Sequence, residues 1–146
     1  MIDIHWDCKY EIGHPRIDHE HQVFVDLIRS VSLGSETNSP RERTARLLSE
    51  VKKYAEFHFI SEENIMLDAG YPDYEAHRKE HQMLLAQFDD CLHRLRNGET
   101  SLTEIAEFMF GWFALHTSRE DKKIANFIRA AGEGAGLPGQ DSPAAG

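Results

Sequence analysis

The stretch "HFISEENIM", residues 58–66, decides how this chain folds. It continues a run in which Leu47, Val51, Tyr54, His58, Glu62, Ile65 and Ala69 recur at steps of three or four. That period marks one face of an α-helix, and its apolar members predict that the face points to a core. His58 and Glu62 stand on the same stripe. Burying an unpaired charge costs several kcal/mol or more, so an imidazole and a carboxylate aimed inward together require something that compensates them.

Three more helical patterns surround this one. A first helix over about 17–33 carries Ile17, His21, Phe24, Val25, Ile28 and Val31 inward, and "GSETNSP" breaks it. Ser39, Pro40 and Glu42 form a capping box with proline at the first helical position, opening the second helix over about 40–69, which Gly70 stops. Pro72 opens a third over about 72–97, with His77, His81, Leu84, Leu85, Phe88, Leu92 and Leu95 on one face and Gly98 as its cap. Ser101 and Glu104 form a second capping box before a helix over about 101–131 bearing Ile105, Phe108, Met109, Trp112, Phe113 and His116. Four long helices with short links predict an all-α, up-down-up-down four-helix bundle spanning residues 1–131 as one domain, with an arm over 1–16. The last segment, 132–146, is Gly, Pro and Ala with little to bury, and is expected to be a flexible tail.

Composition narrows the partners. The 146 residues are 40% hydrophobic, enough for a real core. Sixteen basic against 25 acidic residues give a net charge of −9 with no basic block, which argues against nucleic acid or an anionic membrane. No apolar run approaches the roughly 20 residues that span a bilayer, and "MIDIHWDCKYEIGH" lacks the pattern of a signal peptide, so a cytoplasmic protein is expected. Cys8 and Cys91 form neither a metal-type pair nor a disulfide framework.

In the predicted topology, the start of the first helix, the end of the second, the start of the third and the later part of the fourth share one end of the bundle. His21, His58, Glu62, His77, His81, His116 and Asp121 therefore converge on one level. A lone inward histidine is more often a satisfied core residue, but two pairs at four-residue spacing and a common level point to a metal site. Five imidazoles and two carboxylates with no thiolate suit iron, then manganese or zinc. His5, His14, His19 and His93 fall in the arm or off the inward stripes and are expected at the surface. Spacing excludes other chemistries: there is no H-E-x-x-H, no Gly-rich phosphate loop, no nucleophile elbow, and only Glu11 and His14 make a Glu-x-x-His, in the arm.

One spacing conflicts with a regular helix. Residues four apart differ by about 40° around the axis and share a face, whereas His116 and Asp121, five apart, differ by about 140°. Either the fourth helix widens there into a π-type turn or the aspartate reaches round from the flank; the widened turn is expected.

Taken together, "ID" with His21 three beyond Asp18, "HFISEE" with a methionine beyond, "HRKEH", and "WFALH" with Asp121 five past its histidine resemble the hemerythrin family, and "IHWD...YEIG" is similar to its bacterial members. The resemblance covers about residues 2–130. It implies two iron ions: His77, His81 and His116 on one, His21 and His58 on the other, with Glu62 and Asp121 bridging. It also implies an oxo or hydroxo bridge, which leaves one coordination position open, on the iron with two histidines, for reversible dioxygen binding. Phe24, Ile65 and Phe113 are the expected lining of the oxygen pocket; Phe113 stands where the family often has leucine. The implied role is oxygen carriage, storage or supply, without catalysis, to a possible protein partner. The alternatives are an oxygen or redox sensor acting through a separate partner, which would normally need an output module, and a di-iron peroxidase or oxidase, against which stands the lack of a further inward acid.

Overall fold

The computed structural model describes residues 3–36 and 41–135. A 3-10 turn, Cys8–Tyr10, precedes α1 (Pro15–Glu36), α2 (Arg41–Ala69), α3 (Tyr74–Arg96) and α4 (Leu102–His116). A π turn, Thr117–Asp121, joins α4 to α5 (Lys122–Ala135), and the three pieces form one fourth rod. Helix α1 packs against α2 and α4, and α2 against α3. The bundle expected from the four stripes is the fold observed.

The helix ends follow local chemistry. Helices α2 and α3 both end in a Schellman motif: Tyr71 N–H donates to Met66 O and Gly70 N–H to Leu67 O, and Glu99 and Gly98 do the same to Arg94 and Leu95. The glycine in each has positive φ, +70° and +74°, which a side chain would disfavour. At Ser101 the hydroxyl accepts from Glu104 N–H while the Glu104 carboxylate accepts from Ser101 N–H, the expected capping box.

Four boundaries differ from expectation, the first being the start of α1 at Pro15, two residues inside the expected arm. Helix α1 runs through Gly34 to Glu36 instead of stopping at Leu33. Gly34 is there for close approach, since a Cβ would lie 3.1 Å from Thr44 Cγ2 on α2. Pro72 lies in the turn, and α3 begins at Tyr74 after Asp73, whose side chain makes no capping bond. Residues 132–135, expected in the tail, continue α5, because a formed helix adds residues at little cost. The rest of that tail, and Ser39 and Pro40 of the first capping box, lie outside the described residues.

The arm belongs to the core. The Asp18 carboxylate on α1 accepts from Ile12 N–H at 2.8 Å and Gly13 N–H at 3.2 Å, tying the arm down, and Ile4, Tyr10 and Ile12 are buried. Away from the polar end, Val25, Ile28, Leu48, Val51, Leu84 and Phe88 fill the interior. Full burial of each such side chain contributes about 1.5–3 kcal/mol before the entropy of ordering is subtracted. No helix among the described residues is long and apolar enough to cross a membrane.

Candidate metal centre

All seven predicted polar residues meet inside the bundle, each no more than 5% exposed. Helix α1 brings His21, α2 His58 and Glu62, α3 His77 and His81, α4 His116, and the π turn Asp121. The five-residue step from His116 to Asp121 is accommodated as expected: Lys122 N–H bonds Thr117 O, five residues back, so the turn widens and both side chains face the centre.

The arrangement divides in two. Glu62 Oε1 lies 2.8 Å from His77 Nε2 and 3.0 Å from His81 Nε2. Asp121 Oδ1 lies 3.1 Å from His77 Nε2 and 3.0 Å from His116 Nε2. The other oxygens face the other way, Asp121 Oδ2 toward His21 Nε2 at 3.2 Å and Glu62 Oε2 toward His58 Nε2 at 3.6 Å. Across each half two imidazoles confront one another, His77 with His116 and His21 with His58, Nε2 to Nε2 at 3.1 Å.

Such packing leaves polar atoms without bonds. Glu62 Oε2, Asp121 Oδ1 and His81 Nε2 are buried and have no hydrogen-bond partner, although imidazoles or carboxylates crowd each of them. Lone pairs that converge on shared points, instead of on each other's protons, are what a cation needs. The donors are nitrogen and oxygen, and they fall into the groups Glu62, His77, His81, His116, Asp121 and His21, His58, Glu62, each with its donor atoms within 4.8 Å of one another. The residues fit metal.

The buried imidazoles and carboxylates shift one another's titration in opposite directions. Burial alone would lower the His77 pKa, but the Asp121 and Glu62 carboxylates beside its Nε2 outweigh it and raise it to about 10. Burial and the Asp121 charge would raise the Glu62 pKa, but His77, His81 and His58 hold it down at about 2. Asp121 is likewise held well below the usual carboxylate range, His116, His21 and His77 outweighing its burial.

Three carboxylates outside the expected set orient the rings. His58 Nδ1 donates to Glu20 Oε1 at 2.7 Å, His81 Nδ1 to Glu63 Oε2 at 2.9 Å, and His116 Nδ1 to Glu80 Oε1 at 3.0 Å. A proton held on Nδ1 leaves Nε2 free to bind metal. Glu20 is itself held by Ser61 Oγ at 2.9 Å and Arg16 Nε at 3.2 Å. Their signal in the sequence was adjacency: Glu20 precedes His21, Glu63 follows Glu62, and Glu80 precedes His81. Aromatic plates hold two rings flat, Phe59 on His81 at 3.9 Å and Trp112 on His116 at 4.3 Å.

Beside His21, His58, His116 and Asp121 lies a cavity of about 10 Å³, lined also by Phe24, Phe59, Trp112, Phe113 and Thr117. Of the three residues expected to line an oxygen pocket, Phe24 and Phe113 line this cavity and Ile65 packs against Ile12, Ile17 and Ala125 instead. His5, His19 and His93 are exposed as expected, whereas His14 is half-buried and its Nδ1 accepts from Ile17 N–H at the start of α1.

A helical bundle with a buried, paired imidazole and carboxylate interior is a metal-binding protein by construction. The hemerythrin HHE cation binding domain matches residues 13–128, and the chain belongs to the hemerythrin family, whose domain binds a di-iron centre. It is similar to the bacteriohemerythrin of Stenotrophomonas maltophilia, 26% identical over 125 residues covering 86% of this chain and 81% of the other. That of Ralstonia nicotianae is 27% identical over 140 residues, 92% and 96% of the two chains. A crystal structure of a hemerythrin variant shares the fold, with a TM-score of 0.78 over 88% of this chain and 98% of that one at 24% identity.

Proposed function

We propose that this chain binds dioxygen reversibly at two iron ions, one held by His77, His81 and His116, the other by His21 and His58, with Glu62 and Asp121 bridging. The observation that carries it is the unequal division of the site: three imidazoles face one pair of carboxylate oxygens, two face the other, and both histidines of the poorer half line the cavity, where the richer half contributes His116 alone. Iron ions bound there would supply the two electrons that dioxygen takes up on binding. A cavity of about 10 Å³ is of the size that holds one very small molecule.

The chain's own residues support reversibility. Glu62 and Asp121 bring two negative charges that offset the cations, and Glu20, Glu63 and Glu80 keep three rings in the tautomer that binds. Phe24, Phe59, Trp112 and Phe113 exclude water from the cavity, so few protons reach the ligand and release is favoured over its reduction. In this role the protein is a cytoplasmic carrier, store or local supplier of dioxygen, a binder and not an enzyme, with a protein that receives oxygen as its natural counterpart.

The test is an optical spectrum of the reduced, iron-loaded protein through cycles of air and argon, together with elemental analysis. The expected result is a change that reverses, two irons per chain, and loss of at least one iron in Glu62→Ala or Asp121→Ala. One metal per chain, mainly zinc, or a spectrum that changes once and never returns would overturn the proposal.

A further inference from the structure

Thr117 opens the π turn directly after His116 and lines the same cavity as His21 and His58. It is 1% exposed, and its Oγ1 has no hydrogen-bond partner. A helical threonine normally has an acceptor within reach, because its hydroxyl can fold back on the carbonyl three or four residues earlier. Here that bond is not made, and an unpaired buried hydroxyl destabilises the fold that contains it. Outside the ligand cluster the rest of the lining is aromatic, Phe24, Phe59, Trp112 and Phe113, so among the described residues Thr117 is the only one that brings a hydroxyl to the wall.

We propose that the Thr117 hydroxyl donates a hydrogen bond to the small ligand that enters this cavity, and so favours ligands with an accepting terminal atom, dioxygen or a small linear anion. The proposal rests on the oxygen-binding function above. A hydroxyl donates such a bond without giving up its proton, so the ligand is held and not protonated. The π turn contributes by setting Thr117 in the wall of the cavity that His21 and His58 line while Asp121 still reaches His21 Nε2.

Azide is the probe, titrated into the oxidised, iron-loaded protein and followed by its optical band. Thr117→Val keeps the shape and removes the donor, and is expected to bind azide about tenfold more weakly, the usual effect of losing one hydrogen bond to a charged acceptor. Thr117→Ser restores a hydroxyl and is expected to recover most of that loss. A second readout is independent of ligand: without azide, Thr117→Val should melt no lower than the parent, since the hydroxyl has no partner within the fold. Equal azide affinity in parent and Thr117→Val, or a clear drop in melting temperature for Thr117→Val, would overturn the proposal and leave the oxygen-binding function standing. A parent protein that takes up two irons and binds no azide would overturn both.

Discussion

Phe113 stands edge-on to the His21 ring at 5.2 Å, with Trp6, Tyr10, Phe24 and Phe110 around its other sides. It is 2% exposed, so the ring has no freedom to swing out. A leucine there would occupy less volume and rotate more easily, widening the route to the cavity beside His21 and His58. Phe113→Leu is therefore expected to speed both oxygen uptake and autoxidation, measured by stopped-flow mixing and by the decay of the oxygenated spectrum. It should also cost about 1 kcal/mol of stability, because Tyr10 and Trp6 lose a packed neighbour. Unchanged rates in both assays would show that access runs elsewhere.

At the scale of the element, the helices are cross-linked by a pattern that repeats around the bundle. Each of α1, α2 and α3 carries an inward polar residue and, adjacent to it in sequence, a glutamate that bonds an inward histidine on the next helix: Glu20 to His58, Glu63 to His81, Glu80 to His116. One residue is about 100° of helix, so the neighbour of an inward side chain looks sideways into the seam with the adjacent helix. Removing such an outer partner typically weakens metal binding by about 10–100-fold. Glu20→Ala is expected to fall in that range in competition with an iron chelator, since it frees the ring of His58 and also strips Ser61 and Arg16 of their acceptor. Iron affinity equal to the parent's would mean that packing alone holds His58.

For the whole molecule, the polar end of the bundle is a place where folding and metal binding are one event. Glu62 and Asp121 are buried among imidazoles that they cannot fully satisfy, and cations remove that deficit only in the folded chain. A ligand that binds the folded state alone stabilises it. Removing iron is expected to lower the melting temperature in calorimetry, and adding ferrous iron under argon to restore it. A transition at the same temperature with and without iron would show that the apolar end carries the stability unaided.

The four helices, the seven residues that point inward and the conflict at His116 and Asp121 were legible in the sequence, because helical period, caps and five-residue spacing are properties of the chain read one turn at a time. The membership of the hemerythrin family was legible for the same reason, its motifs being local strings. What lay beyond reach depends on how one helix is rotated against another. Neither the service of Glu20, Glu63 and Glu80 to rings on neighbouring helices, nor the close approach at Gly34, nor the place of Ile65 against Ile12 and Ile17 is encoded in any single helix. The unpaired hydroxyl of Thr117 belongs with these: its residue was plain in the sequence, but only the tertiary structure, with α1 packed against α4, decided that nothing among the described residues would bond to it.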